Sequence, residues 1–488
     1  MVLFCNFIQR IKMRFTITFF FLGIILLLSA NCSKNNVKQE TAQSESSTSA
    51  KTPLNDPAAH YKKYCASCHG AEMKAFVDRK WKRGSSKEDL IKSIKYGIAD
   101  AGMPAYEATF SDEEIAELAT YILEGIKDRK TYVTGYEVKE NVFEEDELSV
   151  QVENVVEGLE VPWGVKVDRQ GVIYFTERKG TFKIKKPGME VMEIKGVPEV
   201  AAQIQGGMLD VALHPDFENN GWIYLSYSKK VKPLSKTTAV VRGKVNGDRW
   251  TDQEDIFEAN MASSKGYHFG CRMVFDNAGY LYISVGDRGS RDDNPQSLAS
   301  ACGKIHRIFD DGRIPEDNPF YDTEAAVKSI WALGNRNPQG MAYDRINDLL
   351  WENEHGPRGG DEQNLIKAGF NYGWPEVSYG INYNGTTFTE LTEKEGVEHP
   401  VVVWIPSIAP SGMAIVEGDN YPAWQGNLLN GSLRFNYISR VEVEEGKKVV
   451  EEKILEGLGR IRAIEMGLDG YLYVGVEDPG RIVKLIPQ

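Results

Sequence analysis

The sequence predicts an all-β, six-bladed β-propeller with a small all-α domain in front of it. Two observations carry the propeller. After residue 150 six segments repeat one strand–turn–strand pattern, and helical periodicity all but vanishes over the same stretch. A third carries the small domain: helix-start signals and helically spaced apolar residues fall between residues 57 and 131. At 488 residues, 42% hydrophobic and 26% charged, the chain has ample material for both cores. A net charge of −13 argues against nucleic acid or an anionic lipid surface as a main partner.

Arg10, Lys12 and Arg14 precede an apolar run from Phe15 to Leu28 and then the small residues Ser29 and Ala30. This is the layout of a signal peptide, residues 1–31, and not of a membrane span. Met13 can serve as the start, which would set Cys5 aside. Leu28-Ser29-Ala30-Asn31-Cys32 resembles a bacterial lipobox, with Asn31 where Gly or Ala is usual. That resemblance implies acylation of Cys32, export to the bacterial periplasm and a membrane anchor of lipid chains. Residues 32–56 are polar, cannot bury a core and read as a flexible tether.

Residues 57–131 form the small α domain. Tyr61 to Gly70 reads YKKYCASCHG, and Cys65-x-x-Cys68-His69 is the signature in which two thiols bond the vinyl groups of haem while the His ligates its iron. Zinc would want a second ligand pair, and a dithiol redox pair would not need the His. Met103, in Gly102-Met103-Pro104, is expected as the sixth ligand. Its rival Met73 lies four residues from His69, too close to cross to the opposite face. Ser86-x-x-Asp89 and Ser111-Asp-Glu-Glu114 read as helix starts, and Ile115, Leu118, Ala119, Ile122 and Ile126 recur at helical spacing. The stretch resembles class I cytochrome c, which implies covalent haem c and one-electron transfer.

Residues 132–150, acidic around KENVFEEDELS, read as a linker, and residues 151–488 as the propeller. The six repeats begin at Val165, Val211, Met273, Met341, Met413 and Ile464, about 45 to 75 residues apart, one blade each. LSVQVENV near residue 150 is expected to pair with RIVKLIPQ at the C-terminus and close the ring. Of the remaining cysteines, Cys271 and Cys302, an exported chain permits a disulfide, and the sequence leaves its formation open.

A run of ordered motifs extends through the propeller: VPWG from Val161, QGGMLDVALHPDF from Gln205, HFGCR from His268, VGDRG from Val285, GNRNPQG from Gly334, EHGPRGGDEQN from Glu354, NYGWP from Asn371, APSGM from Ala409 and GRIR from Gly459. They resemble the PQQ-dependent soluble aldose sugar dehydrogenases, also called the glucose/sorbosone dehydrogenase family. The resemblance implies oxidation of a small-molecule sugar, with His268 as the catalytic base and Arg336 stabilising charge. It implies that Gln205, Asn337, Arg434, Arg460 and Arg462 contact PQQ, with Arg434 standing where the family often has Lys. It also implies calcium on the main-chain carbonyls of Gly356 and Pro357, and a second, structural calcium at Glu362 and Tyr372. The chemistry agrees: a planar quinone with three carboxylates needs several cations, a hard Lewis acid and a base titrating near neutrality.

Cys271 and Ala463 depart from the family pattern and are expected to alter the sugar pocket. Fusion to a cytochrome fits, since a reduced quinone must lose two electrons that a haem takes singly and passes to a downstream cytochrome or oxidase. Two readings stand beside this one: a non-catalytic, ligand-binding propeller, and a dehydrogenase for another alcohol or polyol.

Overall fold

A computed structural model describes residues 56–69, 73, 76, 83–98, 103–127, 142–145, 148–384 and 386–488. The signal peptide, the tether and Cys32 lie outside the described residues. None of the described helices is long and apolar enough to cross a membrane.

The α domain starts where Asp56 caps Pro57. Its carboxylate accepts the amides of Ala58 (3.0 Å) and Ala59 (3.1 Å), and Pro at the first helical position has no amide to leave unpaired. The helical run continues through α1 (Pro57–His60), a wider π turn over Tyr61–Cys65 and α2 (Ala66–His69), so the haem motif is carried on helix. α3 (Lys87–Tyr96) opens on a capping box in which Ser86 and Asp89 satisfy each other's backbone amides. α4 (Asp112–Lys127) opens on the same device between Ser111 and Glu114. Its stripe of Ile115, Leu118, Ala119 and Ile122 is buried against Tyr61, Leu90, Ile94 and Phe110. Truncating Ile115, which is wholly buried, would cost about 2–5 kcal/mol.

Six sheets follow, spanning 162–194, 208–258, 273–333, 338–404, 410–454 and 461–487; these are blades one to six. Within each of the first five, four antiparallel strands run outward from the axis in chain order. Blade six takes its outer strand from the other end of the chain: Ser149–Glu157 pairs with Gly480–Pro487, Val152 facing Leu485. This is the closure expected from LSVQVENV and RIVKLIPQ, and it leaves the ring without a free seam. Within the stretch read as linker, Val142–Glu144 forms a further strand outside that pair.

The core lies between blades. Ala414, Leu429 and Ile461 pack with Ile464, Val474 and Val483 between blades five and six, and comparable clusters fill the other gaps. Each fully buried aliphatic side chain contributes about 1.5–3 kcal/mol. Near the axis the strands come too close for side chains at some positions. A Cβ on Gly340 would meet Ser411 O at 2.4 Å, and one on Gly412 would meet Ile464 N at 2.4 Å.

Five of the six innermost strands break register near their first residues, at Pro162/Val165, Met208/Val211, Pro338/Gly340, Pro410/Met413 and Ile461/Ala463. Such irregularities bend the strand and re-aim its side chains, here at one end of the ring.

Cys271 and Cys302 are free and buried, so they form no disulfide. Burial pushes the Cys271 thiol up to about 12 and the Cys302 thiol up to about 11, which keeps both protonated.

Candidate active site

Antiparallel order decides where the candidates meet. The start of each innermost strand faces the end of its neighbour, as Pro338 faces Glu354 and Ile461 faces Val476. Loops entering the first strand and loops leaving the second therefore share one rim. Gln205, His268, Arg336, Asn337, Arg460 and Arg462 lie at first-strand starts, while Gly356, Pro357 and Arg434 follow second strands.

His268 sits at φ +56°, in the left-handed region, where a non-glycine residue is held by its surroundings. Gln205 Oε1 accepts its backbone amide at 2.8 Å. Arg288 stacks 3.5 Å over Phe269 and donates to the carbonyls of Lys265 and Tyr267, clamping the loop from the other side. The ring is fixed by Asp287: its Oδ1 lies 2.7 Å from Nδ1, and its Oδ2 accepts the Trp374 indole N–H at 2.9 Å. Burial pushes the Asp287 carboxyl up, but the neighbouring charges of His268 and Arg336 and the His268 hydrogen bond outweigh it and hold it at about 2. Burial, and then the charge of Arg336, press the His268 imidazole below its ordinary value of 6.5. It is thus a neutral base near neutrality, with Nδ1 engaged and Nε2 bonded to none of the described residues.

The other buried imidazoles are occupied. His306 is bonded at both nitrogens, to Ser329 Oγ (2.9 Å) and Ala301 O (2.8 Å), and His355 Nε2 is held by Pro410 O at 2.8 Å. Burial first holds both well down, His306 to about 4 and His355 to about 3.

The cations converge. Arg336 lies with its guanidinium 5.3 Å from the Trp374 ring centre and donates Nη1 to His355 O at 2.9 Å. Its Nε, and Nδ2 of Asn337, are buried donors that meet no acceptor among the described residues. Arg462 donates to Gln339 Oε1 (3.2 Å), Gln339 to Asn337 Oδ1 (3.3 Å), and Gly270 N to the same oxygen (3.3 Å), a chain from blade six to the His268 loop. Glu477 binds Arg460 Nε at 2.6 Å and Arg462 Nε at 2.7 Å, fixing both. Arg434 donates to Ser407 O at 3.0 Å, and the Ser407 hydroxyl reaches Pro357 O at 3.4 Å. Cations from three blades thus surround one mouth, where a nitrogen of one of them and the neighbouring Asn337 amide are orphaned donors. An anionic, planar group fits there.

Gly356 is required where it stands, since a Cβ would meet Gly360 O at 1.9 Å. Asp361 holds the loop by accepting Gly356 N (2.9 Å) and Ala409 N (2.7 Å). One cavity is lined by Arg336, Glu354, Gly356, Pro357, Glu362 and Tyr372, among others. Beside it the register sets Glu354 opposite Glu362 and Glu352 opposite Asn364. Like charges face each other, and Glu352 Oε2, Asn335 Oδ1 and Asn364 Oδ1 are buried acceptors without a donor among the described residues. Burial, then mutual repulsion, raises Glu352 and Glu362, and burial raises Glu354. Such an excess of oxygen fits a hard cation. No three His, Cys, Asp or Glu side chains among the described residues form a ready cage, so amide and carbonyl oxygens would have to complete it.

One expectation gains detail. The Tyr372 phenol is spent on Leu365 O (2.6 Å) and Lys367 N (2.9 Å), so only its backbone carbonyl could serve a cation. Cys271 is wholly buried with Trp163, Leu209 and Phe269, and Ala463 is buried with Val165 and Phe175. Asp287, Arg288 and Glu477 carry roles that sequence reasoning missed. The first two stand in VGDRG, whose spacing alone does not say which residue they face.

In the α domain Cys65 is buried and His69 stacks on Phe76, ring centres 4.4 Å apart. Met103 is half-buried, bridged through its backbone to Ile98. Met73 is buried against α4, where a Cβ on Gly125 would come 2.5 Å from its sulfur.

Residues 159–484 match the model of the family described as glucose/sorbosone dehydrogenase, and residues 52–122 that of cytochrome c oxidase, cbb3-type, subunit III. Aldose sugar dehydrogenase YliI of Escherichia coli is 40% identical over 349 residues, 70% of this chain and 94% of the relative. The crystal structure of the soluble aldose sugar dehydrogenase from Escherichia coli in the apo-form superposes with a TM-score of 0.67 at 39% identity, over 70% of this chain and all of that one. The PQQ-bound form of the aldose sugar dehydrogenase from Streptomyces coelicolor superposes with a TM-score of 0.58 at 26% identity, over 70% of this chain and 98% of that one.

Proposed function

The chain belongs to the glucose/sorbosone dehydrogenase family and carries a cytochrome c domain, and from that premise we propose that it oxidises aldose sugars with PQQ and passes the electrons to its own c-type haem. His268 takes the proton of the sugar hydroxyl on Nε2, while Asp287 holds the ring and balances the imidazolium that forms. Arg336 and Asn337 face the developing negative charge with donors already desolvated. Arg434, Arg460 and Arg462 would bind the quinone's carboxylates, and Gln205 keeps the base in place through its backbone. PQQ, when bound, supplies an ortho-quinone that accepts the hydride. The carbonyls of Gly356 and Pro357 would hold a calcium acting as Lewis acid, and the oxygen-rich cluster with Glu362 and the Tyr372 carbonyl would hold a second, structural one.

Cys65 and Cys68 would bond the haem, and His69 and Met103 would ligate its iron. The enzyme works in the periplasm, anchored through lipid on Cys32, and delivers electrons to an external one-electron acceptor. The observation that carries the reading is an imidazole fixed by a buried carboxylate on one nitrogen and open on the other, beside a guanidinium with an unmet donor. Reconstitution with PQQ and calcium tests it: adding aldoses should reduce the haem. A protein that binds PQQ but is reduced only by other alcohols or polyols would shift the substrate class. Failure to bind PQQ would leave a ligand-binding propeller.

A further inference from the structure

The haem helix and the candidate metal loop touch. Tyr64, the residue before the first haem thiol, lies with its ring centre 5.9 Å from the guanidinium of Arg358, the residue after Pro357. Tyr106 reaches the same place: its hydroxyl is 3.1 Å from Tyr64 O and 3.5 Å from Tyr383 O on the propeller. With one proton to give, the phenol serves the nearer carbonyl, and the farther one is a contact. On the propeller side, Arg358 and Ile381 exchange backbone hydrogen bonds of 3.0 and 3.1 Å, so the loop ending at Tyr383 is tied to the strip that begins at Gly356. Arg358 is only 6% exposed. On the cytochrome side, Tyr64 packs edge-on against Tyr106 and Phe110, with ring centres 6.3 and 5.0 Å away.

We propose that the face of Tyr64 and Tyr106 is the docking surface of the cytochrome domain on its own propeller, and that Arg358 and the 379–383 loop receive it. Electrons then cross from the pocket to the haem through the junction Pro357–Arg358–Tyr64–Cys65. The proposal rests on the sugar oxidation reading for its electrons, not for its contact. Oxidation of one aldose to its lactone releases two electrons and two protons. Haem iron takes one electron at a time, from Fe(III) to Fe(II). Two electrons cross in succession, the iron is reoxidised between them by an external one-electron acceptor, and both protons go to solvent. Electron-transfer contacts belong to the smallest class of interfaces, and carrying both partners on one chain raises their effective concentration enough to use one this small.

Two measurements on the full-length, haem-loaded chain test this, with Tyr64→Ala and the milder Tyr106→Phe, each checked for wild-type haem content. Losing the cation–π contact should weaken docking about fivefold, read in Tyr64→Ala as faster hydrogen exchange of the amides in 379–383. Unchanged exchange overturns the docking surface. With PQQ and calcium added, haem reduction by glucose should slow about fivefold in Tyr64→Ala and less in Tyr106→Phe, while glucose-driven reduction of a small soluble dye stays at the wild-type rate. Haem reduction at the wild-type rate in Tyr64→Ala overturns the route. If glucose reduces neither dye nor haem in the unsubstituted protein, the sugar reading falls, and the exchange measurement alone decides the docking.

Discussion

Asp287 Oδ1 lies 2.7 Å from His268 Nδ1, and the same carboxylate accepts the indole N–H of Trp374 with its other oxygen. A carboxylate so held selects the tautomer in which Nε2 is free to take a proton. Asp287→Asn should keep the fold and quinone binding but lower kcat about 10²- to 10⁴-fold, since the amide can hold the wrong tautomer. The acid limb follows from the same pair. His268 is pressed below 6.5, and its neutral form is the proposed base, so activity should be present above that lowered value and lost as pH falls through it. A kcat/KM profile with its acid limb above 6.5 would contradict the assignment.

Glu352, Glu354 and Glu362 carry a second pH dependence. Their carboxyls are raised in the fold above the ordinary 4.5. In the cation-free protein their contribution to stability is therefore present below about 4.5 and lost as pH rises through the raised values. The proposed calcium would bind the ionised form, so the gain in Tm from calcium over chelator should be small in acid and grow toward pH 8. At a calcium concentration about 100 times Kd the gain is about 2.7 kcal/mol. Glu352→Gln should raise the stability of the chelated protein at neutral pH and shrink that gain; thermal melts with and without chelator read both.

The ring was legible because its pattern is short-range. Each blade announces itself by alternating strands and a turn, and the closure of Val152 against Leu485 could be read as two unpartnered apolar strands at opposite ends of the chain. The site was legible only through its motifs, because partners such as Glu477 and Arg462 meet across loops, and Trp374 meets Asp287 across 87 residues. No local rule reaches that far. Nor do motifs show which face a side chain takes on a bulged strand such as Ile461–Met466, since the register break sets it and the sequence does not print it.

Glu477 holds two guanidinium groups at once, with side chains 9% exposed for Glu477, 10% for Arg462 and 30% for Arg460. Burial pushes its carboxyl up, but both Arg charges and their hydrogen bonds hold it far below the usual range. Glu477→Gln leaves two cations facing each other and should cost about 3 kcal/mol in urea unfolding. Arg460→Ala removes the more exposed partner and should cost under about 1 kcal/mol while weakening PQQ binding. Equal losses of stability in the two variants would mean that Arg460 is as structural as Arg462.

Met103 and Met73 differ in how the haem domain holds them. Met73 is 4% exposed and its sulfur rests where any side chain at Gly125 would collide, so it is committed to the packing of α4. Met103 lies half-buried at the margin of the same core, on a backbone bridge to Ile98. Met103→Leu should therefore remove the sixth ligand, turning a low-spin haem high-spin or open to added imidazole, with little change in stability. Met73→Leu conserves volume, should leave the haem spectrum unaltered and should cost less than about 1.5 kcal/mol. The visible spectra of the ferrous proteins separate the two. A low-spin spectrum retained in Met103→Leu and lost in Met73→Leu would move the ligand to the methionine near the His, and the packing of Met73 against Gly125 would then have to open when haem binds.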